Sequence, residues 1–235
     1  MDSVPIRQTQ TQTQVLVNSF VRSVYNWMAI GLALTGFVAY YVANSPTMLN
    51  IIFGNPIVFW GLIIGELVMV FTLSARVNKM QASTATALFV LYAALNGATL
   101  SAVFLAYTKS SIASTFFVCA GTFVAASIYG WTTKKDLTSF GSFLFMGLIG
   151  IIIASVVNLF LKSSGMTMII SYIGVFLFIG LTVYDTQRLK NMALTQPAGL
   201  EAGVVRKGAI IGALSLYLDF INLFLMLLRI MGNRE

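Results

Sequence analysis

Seven long apolar runs constrain the fold of this chain more than any other feature of its sequence. They cover about residues 26–43, 56–75, 86–107, 111–131, 140–161, 166–186 and 207–230. A membrane-spanning helix needs about 20 mostly apolar residues, with a range of roughly 17–25, and each run has such a length. The runs therefore predict seven transmembrane helices.

The scarcity of charged residues points the same way. They make up 9% of the chain, whereas an ordinary soluble domain contains about 25%. So few charges could not cover the surface of a soluble fold. The sequence therefore predicts an all-α, polytopic membrane protein that contacts the lipid bilayer, and seven helices around one centre could work as a monomer.

The basic residues predict the orientation of these helices. Ten Lys and Arg lie on the N-terminal side of the bilayer and four on the opposite side. Cytoplasmic loops are enriched in Lys and Arg, so the N-terminus is predicted to be cytoplasmic. The net charge of +7 is therefore a topology signal, and we expect no nucleic-acid partner.

The N-terminal stretch "MDSVPIRQTQTQTQ" is polar and repetitive, and it lacks the apolar core of a signal peptide. We expect residues 1–21 to form a disordered Gln/Thr-rich tail, and residues 22–235 to form a single seven-helix domain. The chain has no histidine and one cysteine, Cys119, which excludes histidine-dependent catalysis and an intrachain disulfide. No zinc-ligand cluster, EF-hand or phosphate-binding loop is present. The sequence predicts no catalytic residue, no bound metal and no cofactor, and therefore no enzyme.

One acid, Asp219, lies deep in the last run. It follows Lys207 by 12 residues, which is about 18 Å along a helix and places it near mid-bilayer. It belongs to a seam of small and polar residues on one helix face, whose members are separated by 4, 3, 4 and 3 positions: Gly208, Gly212, Ser215, Asp219 and Asn222. Lipid cannot satisfy such a seam, so we expect the seventh helix to lie at the centre of the bundle.

A second acid, Asp185, allows two interpretations. If the sixth helix ends near Thr186, Asp185 is an interfacial acid paired with Arg188 or Lys190. If the helix continues past Lys190, Asp185 lies deeper and can reach Asp219. Two carboxylates in contact in a poorly solvated site share a proton and titrate as a unit. Without histidine, such a pair is the best pH sensor that the chain offers.

The third acid, Glu66, lies in the apolar segment "WGLIIGELVMVF". Arg76 follows it by ten residues, about 15 Å along a straight helix, which is too far for direct pairing. Glu66 therefore needs a partner on another helix or a proton. It lines an ion pathway or is a hydrogen-bonded packing acid.

The segments "TVYDTQRLK" and "ALSLYLDFINLFLMLLRIMGN", together with the central run 97–162, resemble the bacterial branch of the Bax inhibitor-1 family, proteins with the transmembrane Bax inhibitor motif. The resemblance extends from about residue 21 to the C-terminus. It implies a seven-helix fold with the last helix at the centre, in a bacterial inner membrane. It also implies that the sixth helix runs past Lys190.

The resemblance also implies functional roles. A pair of aspartates on the last two helices, matching Asp185 and Asp219, shares a proton and gates a pH-sensitive calcium leak. Glu66 matches the acid of the second helix, and Arg76 is the candidate for a basic residue that engages the pair. The transported species would be Ca²⁺, H⁺ or both.

Two functional hypotheses follow. In the first, the protein is a calcium or cation leak in which the aspartate pair is the latch and Glu66 lines the path. In the second, it is a non-transporting regulator that binds a membrane protease or stress protein, and the polar seam, including Ser215 and Asn222, is packing. A retinal-type receptor would need a lysine inside the last helix, and an intramembrane aspartyl protease uses a Gly-x-Gly-Asp motif, so neither class fits.

Overall fold

The computed structural model describes residues 6–195 and 200–234, with residues 6–16 as backbone alone. This part of the chain consists of helices joined by short connections and contains no β-strand. The helices are α1 (Ile6–Ala43), α2 (Pro46–Phe53), α3 (Pro56–Arg76), α4 (Ala82–Leu100), α5 (Ala102–Ala106), α6 (Lys109–Thr132), α7 (Thr138–Leu161), α8 (Ser164–Thr195) and α9 (Ala202–Met231), with a 3₁₀ turn at Val77–Lys79.

Within the described residues, seven helical segments are long and apolar enough to cross a membrane. They are Val17–Ala43, Pro56–Lys79, Ala82–Ala106, Lys109–Thr132, Thr138–Leu161, Ser164–Thr195 and Ala202–Met231. The third is formed by α4 and α5, which meet at Ser101. The prediction of an all-α polytopic membrane protein with seven spans is confirmed.

The last span has the burial expected of a central helix. In its most apolar window 61% of the residues are buried, the largest share among the spans of the described chain, against 6% for Pro56–Lys79. This contrast follows the sequence, because α9 has a seam of small and polar residues whereas α3 is apolar almost all round.

The N-terminal region differs from the predicted disordered tail, because α1 begins at Ile6. Val17, Phe20 and Val24 are spaced by three and four residues and are all buried, which is the pattern of a helix face in contact with a core. The tail prediction gave weight to the polar repeat and overlooked this stripe. Residues 1–5 lie outside the described part of the chain.

The length of the sixth span decides between the two interpretations of where its helix ends. α8 continues to Thr195, so the helix runs past Lys190, as the family resemblance implied, and does not end at Thr186. Leu189 and Ala193 are buried, so packing stabilises the extra turns beyond the apolar run. Residues 196–199, in the linker before α9, lie outside the described residues.

The contacts of the chain divide it into two compact units. Unit 1 comprises Met1–Leu100 and Arg188–Leu214, and unit 2 comprises Ser101–Gln187 and Ser215–Glu235. α8 and α9 each have residues in both. The prediction of one domain over residues 22–235 stays a prediction.

Close packing at glycine holds unit 1 together. A Cβ on Gly97 of α4 would lie 2.6 Å from the carbonyl oxygen of Thr35 in α1. The Thr35 hydroxyl donates a 2.8 Å hydrogen bond to the carbonyl of Ala93, which lies in α4 with Gly97. Gly212 of α9 packs against side chains instead, and a Cβ there would lie 2.5 Å from the Cδ2 of Leu189 and 3.2 Å from a methyl carbon of Val24. Small residues let membrane helices approach closely.

Unit 2 uses glycine contacts around α8. Gly130 of α6 lies against the Val183 carbonyl, and Gly141 of α7 lies against the Tyr184 ring. A Cβ on Gly174 would lie 2.9 Å from the Sδ of Met226 in α9. These contacts fix the register of α8 against its three neighbours. Two of them involve Val183 and Tyr184, which immediately precede Asp185.

Candidate functional site

Asp185 and Asp219 lie in the same unit, and the register of their helices brings them to neighbouring levels. α8 and α9 are consecutive spans and run in opposite directions. From the contact between Gly174 and Met226, eleven residues along α8 lead to Asp185, and eleven back along α9 lead to Ser215. Asp219 is four residues from Ser215, so the two aspartates are about one turn, or about 6 Å, apart along the helix axes.

Both side chains are buried, Asp185 with 7% of its surface exposed and Asp219 with 5%. Asp185 is close enough to act on Asp219 electrostatically. Among the described residues, no Lys or Arg forms an ion pair with Asp219, and its Oδ2 atom has no hydrogen-bond partner. The structure therefore brings the two predicted acids together in a dry setting, and their gating role stays a prediction.

The segment around Asp185 is held by the connection between α6 and α7. The side chain of Gln187 accepts a 3.0 Å hydrogen bond from the backbone N–H of Leu137 and donates a 2.8 Å hydrogen bond to the carbonyl of Lys135. Gln187 is itself buried. Together with the glycine contacts before Asp185, these bonds leave α8 little freedom to move at this point.

Glu66 of α3 has the partner on another helix that its sequence context required. The hydroxyl of Thr99 in α4 donates a short hydrogen bond to the Glu66 Oε1 atom. Tyr92, on the same face of α4, is near enough to interact with Glu66 electrostatically. It also accepts a 3.1 Å hydrogen bond from the Nδ2 of Asn96. Glu66 is half-buried, so it belongs to a polar cluster inside unit 1.

The other predicted residues occupy less enclosed positions. Arg76 is exposed at the last turn of α3 and belongs to unit 1, whereas the aspartates belong to unit 2, so its pairing with them stays a prediction. Ser215 and Asn222 are half-buried on α9. The Asn222 amide donates a 2.8 Å hydrogen bond to the carbonyl of Leu218 in its own helix.

Asp136, in the connection before α7, is a separate case outside the membrane spans. Its Oδ1 atom accepts hydrogen bonds from the hydroxyl of Thr138 at 2.6 Å and from the Thr138 backbone N–H at 2.9 Å. These two bonds, the side-chain one first, lower the pKa of Asp136 below its ordinary value. Asp136 stabilises the start of α7 and does not belong to the buried site.

The described residues contain no group of three or more Asp, Glu, His or Cys that could hold a metal ion. The chain has only seven Asp and Glu and no histidine.

The family model described as "Inhibitor of apoptosis-promoting Bax1" matches residues 17–235. The chain belongs to the Bax inhibitor-1 family. The match covers both aspartates and Glu66, and it includes the buried residues Val17, Phe20 and Val24 of α1. This family is not a known enzyme class.

Relatives in other bacteria match along the whole chain. Inner membrane protein YbhL of Escherichia coli (strain K12) is 52% identical over 235 residues, which is 100% of both chains. An uncharacterized protein of Borreliella burgdorferi is 46% identical and covers 97% of each chain. An uncharacterized protein of Deinococcus radiodurans is 44% identical over 98% of this chain and 97% of its own length. The predicted localisation, an integral protein of a bacterial inner membrane, is confirmed.

Sequence reasoning missed several polar residues of this Bax inhibitor-1 family member. Thr99, Tyr92 and Asn96 lie on one face of α4 at spacings of four and three, which is a polar stripe inside an apolar run and could have marked the partner of Glu66. Gln187 follows Asp185 by two residues, and nothing in the sequence says that its amide binds the loop before α7.

Proposed function

We propose that this Bax inhibitor-1 family protein is a pH-sensitive cation leak for calcium, gated by a proton that Asp185 and Asp219 share. The proximity of the two buried carboxyl groups on α8 and α9 carries this proposal. In this account the protein has no catalytic residue and no bound cofactor, and Ca²⁺ is the transported substrate.

The physical basis is the cost of two negative charges at one buried site. One shared proton leaves a single negative charge and a hydrogen bond between the carboxyl groups, which favours the closed packing of α8 and α9. When that proton leaves, the two unit charges repel by about 2–4 kcal/mol at separations of about 4–8 Å and an effective dielectric constant of about 20. This energy corresponds to a shift of about 100-fold in the equilibrium between closed and open packing.

In this proposal α9 is the helix that moves, because packing and hydrogen bonds hold α8 near Asp185. Gln187 binds the connection before α7 through two hydrogen bonds, and Gly130 lies against the Val183 carbonyl. Loss of the shared proton would therefore displace Asp219 and its helix. We expect cation flux to rise with pH as the pair becomes doubly charged.

In this proposal Glu66 lines the path that the cation follows. Its carboxyl is half-buried and has a hydroxyl donor in Thr99, so one oxygen is fixed while the group can still contact a passing cation. A carboxylate attracts Ca²⁺ electrostatically and offers the oxygen ligand that this ion prefers. Glu66→Gln should lower the flux without moving its pH midpoint.

The test is Ca²⁺ flux from proteoliposomes between about pH 6 and pH 8, a range in which a coupled carboxyl pair can titrate. The wild type is compared with Asp185→Asn/Asp219→Asn, and Asp136→Asn is the matched control because that acid lies outside the pair. We expect a pH-dependent flux that the double variant flattens and the control keeps. An unchanged pH profile in the double variant would refute the latch.

A second function is favoured by a different observation. α3 exposes a continuous apolar stripe with helical spacing, made of Ile57, Trp60, Ile64, Leu67 and Phe71. Lipid covers such a stripe, and a helix of a membrane protease or stress protein would fit it as well. A photoreactive residue at position 64 tests this: one crosslinked membrane protein in cells, with no Ca²⁺ flux from purified protein, would favour a non-transporting regulator.

A further inference from the structure

Four phenylalanines form an aromatic cluster between α6 and α9, directly beside Asp219. The ring of Phe220 lies 5.4 Å from that of Phe123 and 5.6 Å from that of Phe116, and Phe116 lies 6.5 Å from Phe224, all with edge-to-face geometry. Phe123 and Phe220 are each 4% exposed. These two rings form the buried centre of the aromatic cluster, and Phe220 is the residue that follows Asp219.

Buried hydroxyl groups lie on both sides of this cluster along α6. Thr115 precedes Phe123 by eight residues and Ser127 follows it by four, so they are about 12 Å and 6 Å away along the helix. Neither hydroxyl oxygen has a hydrogen-bond partner among the described residues, and the same holds for the Oδ2 of Asp219. Buried polar atoms nearly always have partners, so these oxygens mark places that accept a small hydrogen-bonding species.

We propose that the aromatic cluster is the closed gate in the part of the cation path that lies within unit 2, along the seam between α6 and α9. Thr115 and Ser127 line the path on either side of the contact between Phe123 and Phe220, which excludes water as hydrophobic constrictions in channels do. The proposal rests on the proposed function, because Asp219 transmits the protonation state of the aspartate pair to Phe220.

The groups around Asp219 allow this coupling. Asp185 acts on it from α8, whose next ionisable residues are Tyr184 and Arg188, and α7 contains no charged residue, tyrosine or cysteine. α6 has no charged residue after Lys109. Its tyrosine, Tyr129, is exposed, and the thiol of its cysteine, Cys119, donates a hydrogen bond to the Phe220 carbonyl over 3.6 Å. On α9 itself, the phenol of Tyr217 is buried. A new charge on the pair therefore acts on the helix segment that holds Phe220.

The chain has its own reporter for the gate. Cys119 is the single cysteine of the sequence, it is fully buried, and it contacts the backbone of Phe220. A charged methanethiosulfonate reacts only with a thiol that water reaches. Opening of the seam should therefore expose Cys119 in the unmodified protein.

The first experiment measures the labelling rate of Cys119 in proteoliposomes between about pH 6 and pH 8. Because pH also changes thiol reactivity, each rate is divided by that of Cys119→Ser/Ser110→Cys, whose introduced thiol lies at an exposed position. We expect this ratio to rise about tenfold or more as the pair loses its proton, and Asp185→Asn/Asp219→Asn to abolish the rise. A ratio that stays constant while Ca²⁺ flux changes would overturn the gate and leave the proposed function standing.

The second experiment opens the gate directly. Phe123→Ala should give Ca²⁺ flux at every pH, and Phe123→Leu should keep the wild-type profile because it retains an apolar plug. The matched control is Phe117→Ala on the exposed side of the same helix, which should behave as the wild type. If Phe123→Ala and Phe117→Ala have the same flux, the gate is wrong. If no protein shows flux but the labelling ratio still rises with pH, the leak is wrong and the seam movement stands.

Discussion

Substitution of Gly130 by alanine tests whether the close packing of α6 against α8 holds the aspartate segment. A Cβ at this position would lie 3.0 Å from the Cβ of Thr186 and 3.1 Å from the carbonyl carbon of Val183, and closer still to the Val183 oxygen. Ordinary carbon–carbon contacts are about 3.5–4.0 Å. α6 would therefore have to move away from α8 by about 0.5–1 Å, since backbone atoms cannot rotate aside.

Overpacking of this kind costs about 1–3 kcal/mol. Gly121 provides a matched control on the same helix, because a Cβ there would meet no described atom within 4 Å. Both substitutions gain the same helix propensity, at most about 1 kcal/mol. The free energy of unfolding of Gly130→Ala should therefore lie about 1–3 kcal/mol below that of Gly121→Ala.

The assay is unfolding of the two purified variants by denaturing detergent in mixed micelles. Val183 and Thr186 flank Asp185, so Gly130→Ala should also shift the pH midpoint of Ca²⁺ flux, whereas Gly121→Ala should not. Unfolding free energies that agree within about 0.5 kcal/mol would refute the view that this contact fixes α8.

Three further predictions concern the neighbouring polar groups. Thr99→Val removes the hydroxyl donor of Glu66, which should lower the free energy of unfolding by about 1–3 kcal/mol. In a double-mutant cycle, Thr99→Val/Glu66→Gln should lose less stability than the sum of the two single variants, and strict additivity would contradict the pairing. Gln187→Leu removes two hydrogen bonds and should cost about 1–3 kcal/mol, measured by the same unfolding assay; a wild-type value would show that the loop is held otherwise. Asp136→Ala should lower Tm at pH 7, because the pKa of Asp136 is lowered in the fold, so that the carboxylate stabilises fully above its unfolded pKa of about 4 and less as pH falls through the lower folded pKa. The difference from the wild type should vanish in acid, whereas Asp136→Asn, which can still accept from Thr138, should lose less; equal Tm values at pH 7 would contradict this role.

The spans of the fold could be predicted because they depend on local composition. Each apolar run became a membrane-length helix. The ends could not be predicted equally well. Arg188 and Lys190 suggested the end of a span, but α8 continues to Thr195 because Leu189 and Ala193 find buried positions. A charge ends the apolar run, and packing decides where the helix ends.

The candidate site was partly visible in the sequence. Asp219 could be recognised from its depth, and Asp185 became its neighbour only through the register of α8 against α9. That register depends on contacts such as that of Gly174 with Met226, which join residues far apart in the chain. The spacing of polar residues along α4 could have drawn attention to Thr99, but its pairing with Glu66 depends on the packing of α3 against α4.

The most direct test of the central claim is infrared spectroscopy of the carboxyl groups during a pH titration in membranes. Glu66→Gln is the background, so that Asp185 and Asp219 are the remaining buried acids among the residues whose side chains the structure describes. The account predicts a protonated carboxyl band near neutral pH that disappears as pH rises in step with Ca²⁺ flux, and that is absent from Asp185→Asn/Asp219→Asn. A band that is missing at neutral pH, or that persists in this double variant, would contradict a proton shared by the pair.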